Sequence, residues 1–180
     1  METPNTTERL KQLLPQLFER DRATGERYLT FEITPSLKAA IPLSLLWEAA
    51  ILPAVTITPI PQMSPYVLGW HNGRDRVYCV ISLAEFLGLA STSEKLRFQK
   101  YPTLIVQVPS SQPTITGQNQ SLLLGLTVSR ILRTVTVTPE AHTDRVDGFP
   151  AALTPYLQGT LNQEKPQAVL NLTAITDQIR

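Results

Sequence analysis

Two stretches of this sequence repeat one another, and the repeat limits the folds that are open to it. Residues 51–59 read ILPAVTITP and residues 131–139 read ILRTVTVTP, with six of nine positions identical at an offset of 80. Four residues recur at an offset of 90: Pro65, Tyr66, Gly69 and Asn72. Three more recur at an offset of 89, the last of them loosely: Val80, Leu83 and Ala84. An ordered series of matches, which one insertion and one deletion explain, indicates two copies of one unit.

Both copies have the pattern of short β-strands. Residues 28–34 alternate, and Leu29, Phe31 and Ile33 are predicted to share one face of a strand. Residues 55–58 are β-branched throughout and end at Pro59. Further strands are predicted at 67–70, 76–81, 103–108, 121–128, 132–138, 156–161 and 167–170. Short strands at this spacing favour small closed barrels. The sequence therefore predicts a mainly β fold of two pseudo-symmetric, SH3-like β-barrels packed together, with a few short helices.

Three helices are expected. Ser82 followed by Glu85 forms a capping box, and Gly88 is a natural stop for that helix. A C-terminal helix is expected at about 173–180. Residues 1–26 are predicted to form an amphipathic helix, kinked at Pro15, and a linker. Its apolar stripe consists of Leu10, Leu13, Leu14, Leu17 and Phe18. The stripe either packs on the barrels of this chain or docks on a partner.

The remaining 27–180 are predicted to form one domain, with lobes at about 27–88 and 101–172. The net charge is +1 without a basic cluster, so nucleic acid is not expected as a partner. No apolar run approaches the ~20 residues of a spanning helix, so membrane insertion is not expected. Cys79 is the single cysteine and has no disulfide partner within the chain. These features favour a cytoplasmic protein.

Residues that could carry out catalysis are scattered. The two histidines, His71 and His142, do not form a metal-ligand spacing, and no glycine-rich phosphate loop is present. Asp144 and Asp147 lie in an irregular segment that is typical of a solvated loop. We therefore expect a binding protein without catalytic residues, metal or cofactor. The alternatives are a two-barrel regulatory domain that binds a small-molecule ligand, and an enzyme that uses scattered acids.

Residues 40–87 contain an ordered series of short motifs. They are Ala40-Ile41-Pro42-Leu43, Glu48, Ile57-Thr58-Pro59-Ile60-Pro61, Pro65-Tyr66-Val67-Leu68-Gly69, Asn72, Arg74 and Val80-Ile81-Ser82-Leu83. In this order they resemble the first lobe of CheW-type coupling proteins. The second lobe resembles the family through Leu124-Gly125-Leu126, Pro155-Tyr156-Leu157-Gln158-Gly159 and Leu170-Asn171-Leu172. The resemblance implies a non-enzymatic scaffold without a cofactor. Its implied partners are a CheA-like histidine kinase and the cytoplasmic tip of a methyl-accepting chemoreceptor, together with self-association.

The resemblance also implies where partners bind. Glu48 and Arg74 match the family's charged pair at a groove between the lobes, where an arginine can hold a carboxylate through two bonds. The alternative is an ion pair that only fixes a turn. Three apolar residues beside Glu48 either contact a partner or belong to the core. The expected partner-binding residues are therefore Leu46, Trp47, Glu48, Ile51, Asn72 and Arg74.

Three positions depart from the family pattern. The usual Asn-Leu-Arg-Gly turn is Asn72-Gly73-Arg74-Asp75 here, Ser82 replaces the usual aspartate, and the turn at 162–166 is unusual. Serine and aspartate both cap helices, so the second change leaves the helix start intact. A variant turn preceded by an amphipathic stripe resembles the members tied to type IV pilus motility, including twitching and phototaxis.

Overall fold

The structure is a computed structural model of the 180-residue chain, and it describes residues 25–74, 76–89, 99–109, 121–163 and 165–179. The strands, in chain order, are β1 (Glu26–Thr34), β2 (Leu37–Pro42), β3 (Leu46–Pro53), β4 (Ile57–Thr58), β5 (Val67–Asn72), β6 (Val77–Ser82), β7 (Lys100–Pro109), β8 (Ser121–Thr127), β9 (Arg130–Val137), β10 (His142–Thr143), β11 (Leu157–Leu161) and β12 (Gln167–Leu170). The helices are α1 (Leu83–Phe86) and α2 (Leu172–Ile179). The helix expected within residues 1–26 lies outside the described residues, apart from Gly25 and Glu26.

The strands form two six-stranded sheets that pack together, and the predicted mainly β fold with few helices is confirmed. The β1 sheet has the order β10-β11-β12-β2-β1-β9, and the β3 sheet has the order β3-β7-β8-β6-β5-β4. Each sheet contains a hairpin from the other half of the chain. The β1–β2 hairpin joins β12 through a parallel pair, and the β7–β8 hairpin joins β6 in the same way. This exchange of hairpins was not part of the expected lobes at about 27–88 and 101–172.

The later half of the sequence repeat is a structural repeat as well. The amide of Ser82 donates to the carbonyl oxygen of Tyr66 at 2.8 Å, and the amide of Asn171 donates to that of Tyr156 at the same distance. The side chain of Ser82 then accepts from the amide of Glu85 at the start of α1. The side chain of Asn171 accepts from the amide of Ala174 in α2 in the same manner. Both helices are thus capped by equivalent residues, and of these two caps only the one at Ser82 was predicted from sequence.

The earlier half of the repeat is out of register with the fold. Val55 lies in a 3₁₀ turn (Ala54–Thr56) and is 94% exposed, whereas its sequence match Val135 lies in β9 and pairs with Tyr28. The turn equivalent to Ala54–Thr56 is Pro139–Ala141, which is 85 residues later and not 80. The strand predicted at 55–58 is therefore wrong except for Ile57–Thr58. A turn stands in place of the first part of the predicted strand. The hydroxyl of Thr56 closes this turn by donating to the carbonyl oxygen of Pro53 at 2.7 Å.

The core lies between the two sheets. Its fully buried side chains come from both halves of the chain and include Phe31, Ile81, Leu104, Leu126 and Leu170. Each sheet also has a smaller apolar cluster, around Val80 and Ile105 in the β3 sheet and around Leu161 and Val169 in the β1 sheet. Because the largest cluster is shared, neither sheet has a complete core of its own.

Strand β1 is buried on both faces, although its sequence alternates. The hydroxyl of Thr30 donates to the carbonyl oxygen of Arg133 at 2.7 Å. The carboxylate of Glu32 accepts two bonds from the guanidinium of Arg130, at 2.9 and 3.1 Å. These bonds hold the pKa of Glu32 below its usual value, although burial alone would raise it. The polar face of β1 is thus buried because each of these polar side chains has a partner on β9.

Replacing Arg130 with glutamine is expected to lower the melting temperature by about 3–6 °C at neutral pH, because it leaves the Glu32 carboxylate short of partners. The folded state holds the pKa of Glu32 low, so its stabilisation is present above pH 4.5 and is lost as the pH falls through the folded value. The difference between variant and wild type should therefore disappear in acid. Thermal melts across this pH range test both statements. Arg133→Gln, an exposed change on the same strand, is the control and should leave the melting temperature nearly unchanged.

Candidate protein-docking site

The expected partner-binding residues lie in two places on the β3 sheet. Four of them belong to β3 and the other two lie at the end of β5 and in the turn that follows it. Strand β3 has a bulge at Trp47, because Leu46 pairs with Val106 and Glu48 pairs with the adjacent Ile105. A bulge of this kind turns the side chain of the extra residue away from the regular alternation.

The apolar members of the set differ in their surroundings. Trp47 is 57% exposed and Ile51 is 63% exposed, which is unusual for side chains of this size. Leu46 is half-buried and packs against the core between the sheets. Of the two interpretations that the sequence left open, Leu46 therefore has the contacts of a core residue. Trp47 and Ile51 have the exposure that a docking surface needs.

The charged members do not bond to each other. Among the ion pairs of the described residues, none joins Glu48 to Arg74. The guanidinium carbon of Arg76 instead lies 5.8 Å from the centre of the Trp47 ring, in range of a cation–π contact. The charge of Glu48 also acts on Tyr78: burial is the main cause of that residue's raised pKa, and Glu48 adds to it. The start of β3 and the β5–β6 turn are therefore neighbours through Arg76 and Tyr78, neither of which was among the partner-binding residues expected from sequence.

A further apolar surface lies on the same sheet and was missed from sequence. Trp70, opposite Cys79 on β6, is exposed, and so are Val77 and Leu122. We call Trp70, Val77, Leu122 and the half-buried Cys79 the β5–β6 face. Cys79 packs against the core between the sheets, so this face borders the junction of the two sheets. Asn72 pairs with Val77 and is exposed beside it.

The sequence could not distinguish this face from the core. Val77, Cys79 and Ile81 alternate along β6 as three apolar residues on one side of a strand. Ile81 is completely buried because the other sheet covers it, whereas Val77 is 61% exposed because that cover ends before it. Only the packing of the two sheets decides which of these residues is core.

Two of the residues considered for catalysis, His71 and Cys79, have surroundings that fit a structural role. The Nδ1 atom of His71 lies 3.1 Å from the carbonyl oxygen of Thr56, and its ring packs against Tyr78. Burial raises the pKa of the Cys79 thiol, which disfavours the reactive thiolate. Within the described ranges, no three histidine, cysteine or acidic residues are placed to hold a metal ion. A cavity of about 360 Å³ at the β1–β2 turn is lined by Lys38, Asp147 and Lys165 among others.

Comparisons with known proteins agree on the fold. The CheW-like domain family matches residues 27–180. Among solved structures, the scaffolding protein TtCheW from Thermoanaerobacter tengcongensis superposes with a TM-score of 0.63 at 16% sequence identity. The superposition covers 82% of this chain and 89% of that one. No curated protein has a significant match to the chain. In the described part of the chain, no helix is long and apolar enough to cross a membrane.

Proposed function

The chain belongs to the CheW-like domain family, and on that premise we propose that it is a non-enzymatic adaptor. It would couple a chemoreceptor to a CheA-type histidine kinase in a chemotaxis-like pathway that controls motility. The observation that carries the proposal is the concentration of exposed large apolar side chains on one sheet. Trp47, Ile51, Trp70, Val77 and Leu122 all belong to strands of the β3 sheet. Exposed apolar surface of this extent is typical of a site where another protein binds.

We propose that the tip of the receptor binds at the β5–β6 face through an amphipathic helix. An amphipathic helix binds by laying its apolar side into an apolar groove, with polar residues at the rim. Here Trp70 and Val77 offer the apolar floor beside the junction of the sheets, and Asn72 and Arg74 offer a polar rim at the turn. Because Arg74 is not tied to Glu48, its guanidinium is available for a carboxylate on the receptor.

The surface at the start of β3 suits the kinase. Trp47 is a large, exposed aromatic residue with Arg76 beside its ring, and aromatic and arginine side chains are enriched among the residues that dominate interface energies. Receptor and kinase would then occupy adjacent surfaces of one sheet, on either side of the β5–β6 turn. Such an arrangement lets one small domain hold both partners at once, in the cytoplasm where the kinase and the receptor tip meet. The pathway is proposed to be of the type IV pilus kind, on the strength of the variant turn.

Arg74→Glu is expected to weaken binding of a receptor-tip fragment about tenfold at low ionic strength, because it replaces a rim cation with an anion. The loss should shrink as salt is added, since exposed charges are screened. Isothermal titration at two salt concentrations measures both effects. Arg133→Glu makes the same charge change on the β1 sheet and should bind like the wild type. Unchanged affinity in a folded Arg74→Glu protein would remove this residue from the site.

The function itself is tested by capture of partners. The tagged full chain is incubated with an extract that is shown to contain both a CheA-like kinase and a chemoreceptor. Bound proteins are identified by mass spectrometry. Recovery of both supports the adaptor. Recovery of neither overturns it and favours the alternative of a domain that binds a small-molecule ligand, for which the cavity beside Lys38 and Lys165 is the place to begin a screen.

A further inference from the structure

We propose that β3 pairs edge to edge with β3 of a second copy of this chain, antiparallel, to form a symmetric dimer. The inference goes beyond the adaptor function and does not depend on it. Three features of β3 support the dimer. One of its edges is unpaired within the described chain, the strand contains no lysine or arginine, and its central segment can pair with the same segment of a second copy.

Strand β3 is the terminal strand of its sheet. It pairs with β7 along its whole length, from Leu46 opposite Val106 to Pro53 opposite Lys100. No strand among the described residues pairs with its other edge. The amide and carbonyl groups that point outward along this edge therefore form a row that another extended strand can bond, whereas a helix cannot.

The equivalent edge on the other sheet is protected. Strand β9 ends the β1 sheet and carries Arg130 and Arg133, both exposed, together with Thr134 and Thr136. Charged side chains on an edge strand are the usual means by which proteins prevent edge-to-edge association. Strand β3 contains no lysine or arginine, and its exposed residues include Trp47 and Ile51. The two sheets have the same strand order, so the difference between their edge strands comes from the sequence and not from the fold.

The sequence of β3 favours a second copy as the occupant. The bulge at Trp47 and the missing amide hydrogen of Pro53 limit regular pairing to the segment from Glu48 to Leu52, which is centred on Ala50. Antiparallel pairing about Ala50 places Glu48 of each copy opposite Leu52 of the other. The two carboxylates, which are the only charges on the strand, are then about 13 Å apart along it. Like charges are thereby kept from lying opposite each other, which would be destabilising.

The same pairing covers exposed apolar surface. Ala49 of each copy comes opposite Ile51 of the other, so the side chain that is 63% exposed in the single chain gains an apolar neighbour on the face of the joined sheet. The small side chains at the centre allow the two strands to approach without a clash. Because the contact is isologous, it closes at two copies and does not propagate into a filament.

Sedimentation equilibrium of the full chain, from low micromolar to near-millimolar concentration, tests the proposal. A monomer–dimer equilibrium is expected for the wild type. Ile51→Lys places a charge on the edge and should raise the dimer dissociation constant at least tenfold. Thr134→Lys makes a similar change on the edge of β9 and should dimerise like the wild type. Thermal melts of both variants show whether each is folded.

Hydrogen exchange identifies the surface involved. At dimer-forming concentrations, amide protection should rise in residues 48–52 and remain unchanged in β9. A wild type that stays monomeric at every concentration overturns the proposal. So does a dimer whose formation leaves the exchange of β3 unchanged, and so does an assembly that grows beyond two copies. Capture of receptor and kinase by a monomeric Ala49→Lys protein would separate this inference from the adaptor function, because Ala49 is exposed on the dimer edge and is not among the partner-binding residues.

Discussion

Replacement of Gly69 with alanine is expected to lower the free energy of unfolding by about 3 kcal/mol or more. Gly69 lies at a bulge of β5 with φ at 144°, a conformation that side chains rarely adopt. A β-carbon at this position would overlap the carbonyl oxygen of Thr58 on β4. Either β4 or β5 must then move, and β4 has only two residues with which to hold its place. Urea denaturation followed by tryptophan fluorescence measures the change.

Gly159 is the equivalent of Gly69 in the β1 sheet and offers a second test. Its added β-carbon would lie 2.6 Å from the carbonyl oxygen of Thr143 and 2.8 Å from Nε2 of His142. Gly159→Ala should therefore also destabilise the protein strongly. Gly88→Ala is the matched control, because Gly88 has φ at 67° with open space around it. That change should cost only about 1 kcal/mol of conformational strain. Equal effects at Gly69 and Gly88 would contradict the steric argument.

The two tight glycines explain why part of the fold was predictable from sequence. Tyr66 and Gly69 recur as Tyr156 and Gly159 because the same backbone approach, the same bulge and the same helix cap are needed twice. These requirements involve residues close together in the sequence, so they can be recognised as a repeated motif. The match between residues 51–59 and 131–139 is longer and yet out of register. β-Branched residues suit many positions of a sheet, and their recurrence carries little information about register.

The parts that could not be predicted depend on contacts between distant segments. The exchange of hairpins between the sheets is a choice among strand pairings that alternation alone does not decide. The burial of Glu32 follows from Arg130, which is 98 residues away in the chain. In the same way, Arg76 contacts Trp47 only because the β5–β6 turn lies beside the bulge of β3. Glu48 was expected to pair with Arg74, but among the described residues no ion pair joins these two, and the arginine that lies at the start of β3 is Arg76.

The two sheets differ in the large apolar side chains that they expose. The exposed large apolar residues of the described chain belong to strands of the β3 sheet or to the connection between them: Trp47, Ile51, Val55, Met63, Trp70, Val77 and Leu122. The β1 sheet has the same strand order but keeps its large apolar residues covered. One sheet, built from strands of both halves of the chain, therefore carries the exposed apolar surface, and the other sheet packs against it.

Phe31→Ala is expected to lower the free energy of unfolding by about 3–5 kcal/mol, because it removes a completely buried ring from the core between the sheets. The position makes this variant a test of whether the two sheets unfold together. Phe31 belongs to the β1 sheet, whereas both tryptophans, Trp47 and Trp70, belong to the β3 sheet. Tryptophan fluorescence thus reports on the sheet that does not contain the substitution. Leu122→Ala, at an exposed position, is the control and should change stability by less than about 0.5 kcal/mol.

Two features of the structure argue for a single transition. The hairpin exchange means that unfolding either sheet removes strands from both halves of the chain, and the largest apolar cluster contains residues of both sheets. In the Phe31→Ala protein, the urea midpoints from fluorescence and from far-ultraviolet circular dichroism should therefore fall by the same amount. A fluorescence midpoint that stays at the wild-type value while the dichroism midpoint falls would show that the β3 sheet is stable alone. The shared core would then be an area of contact between two independent domains, and not the element that joins them into one.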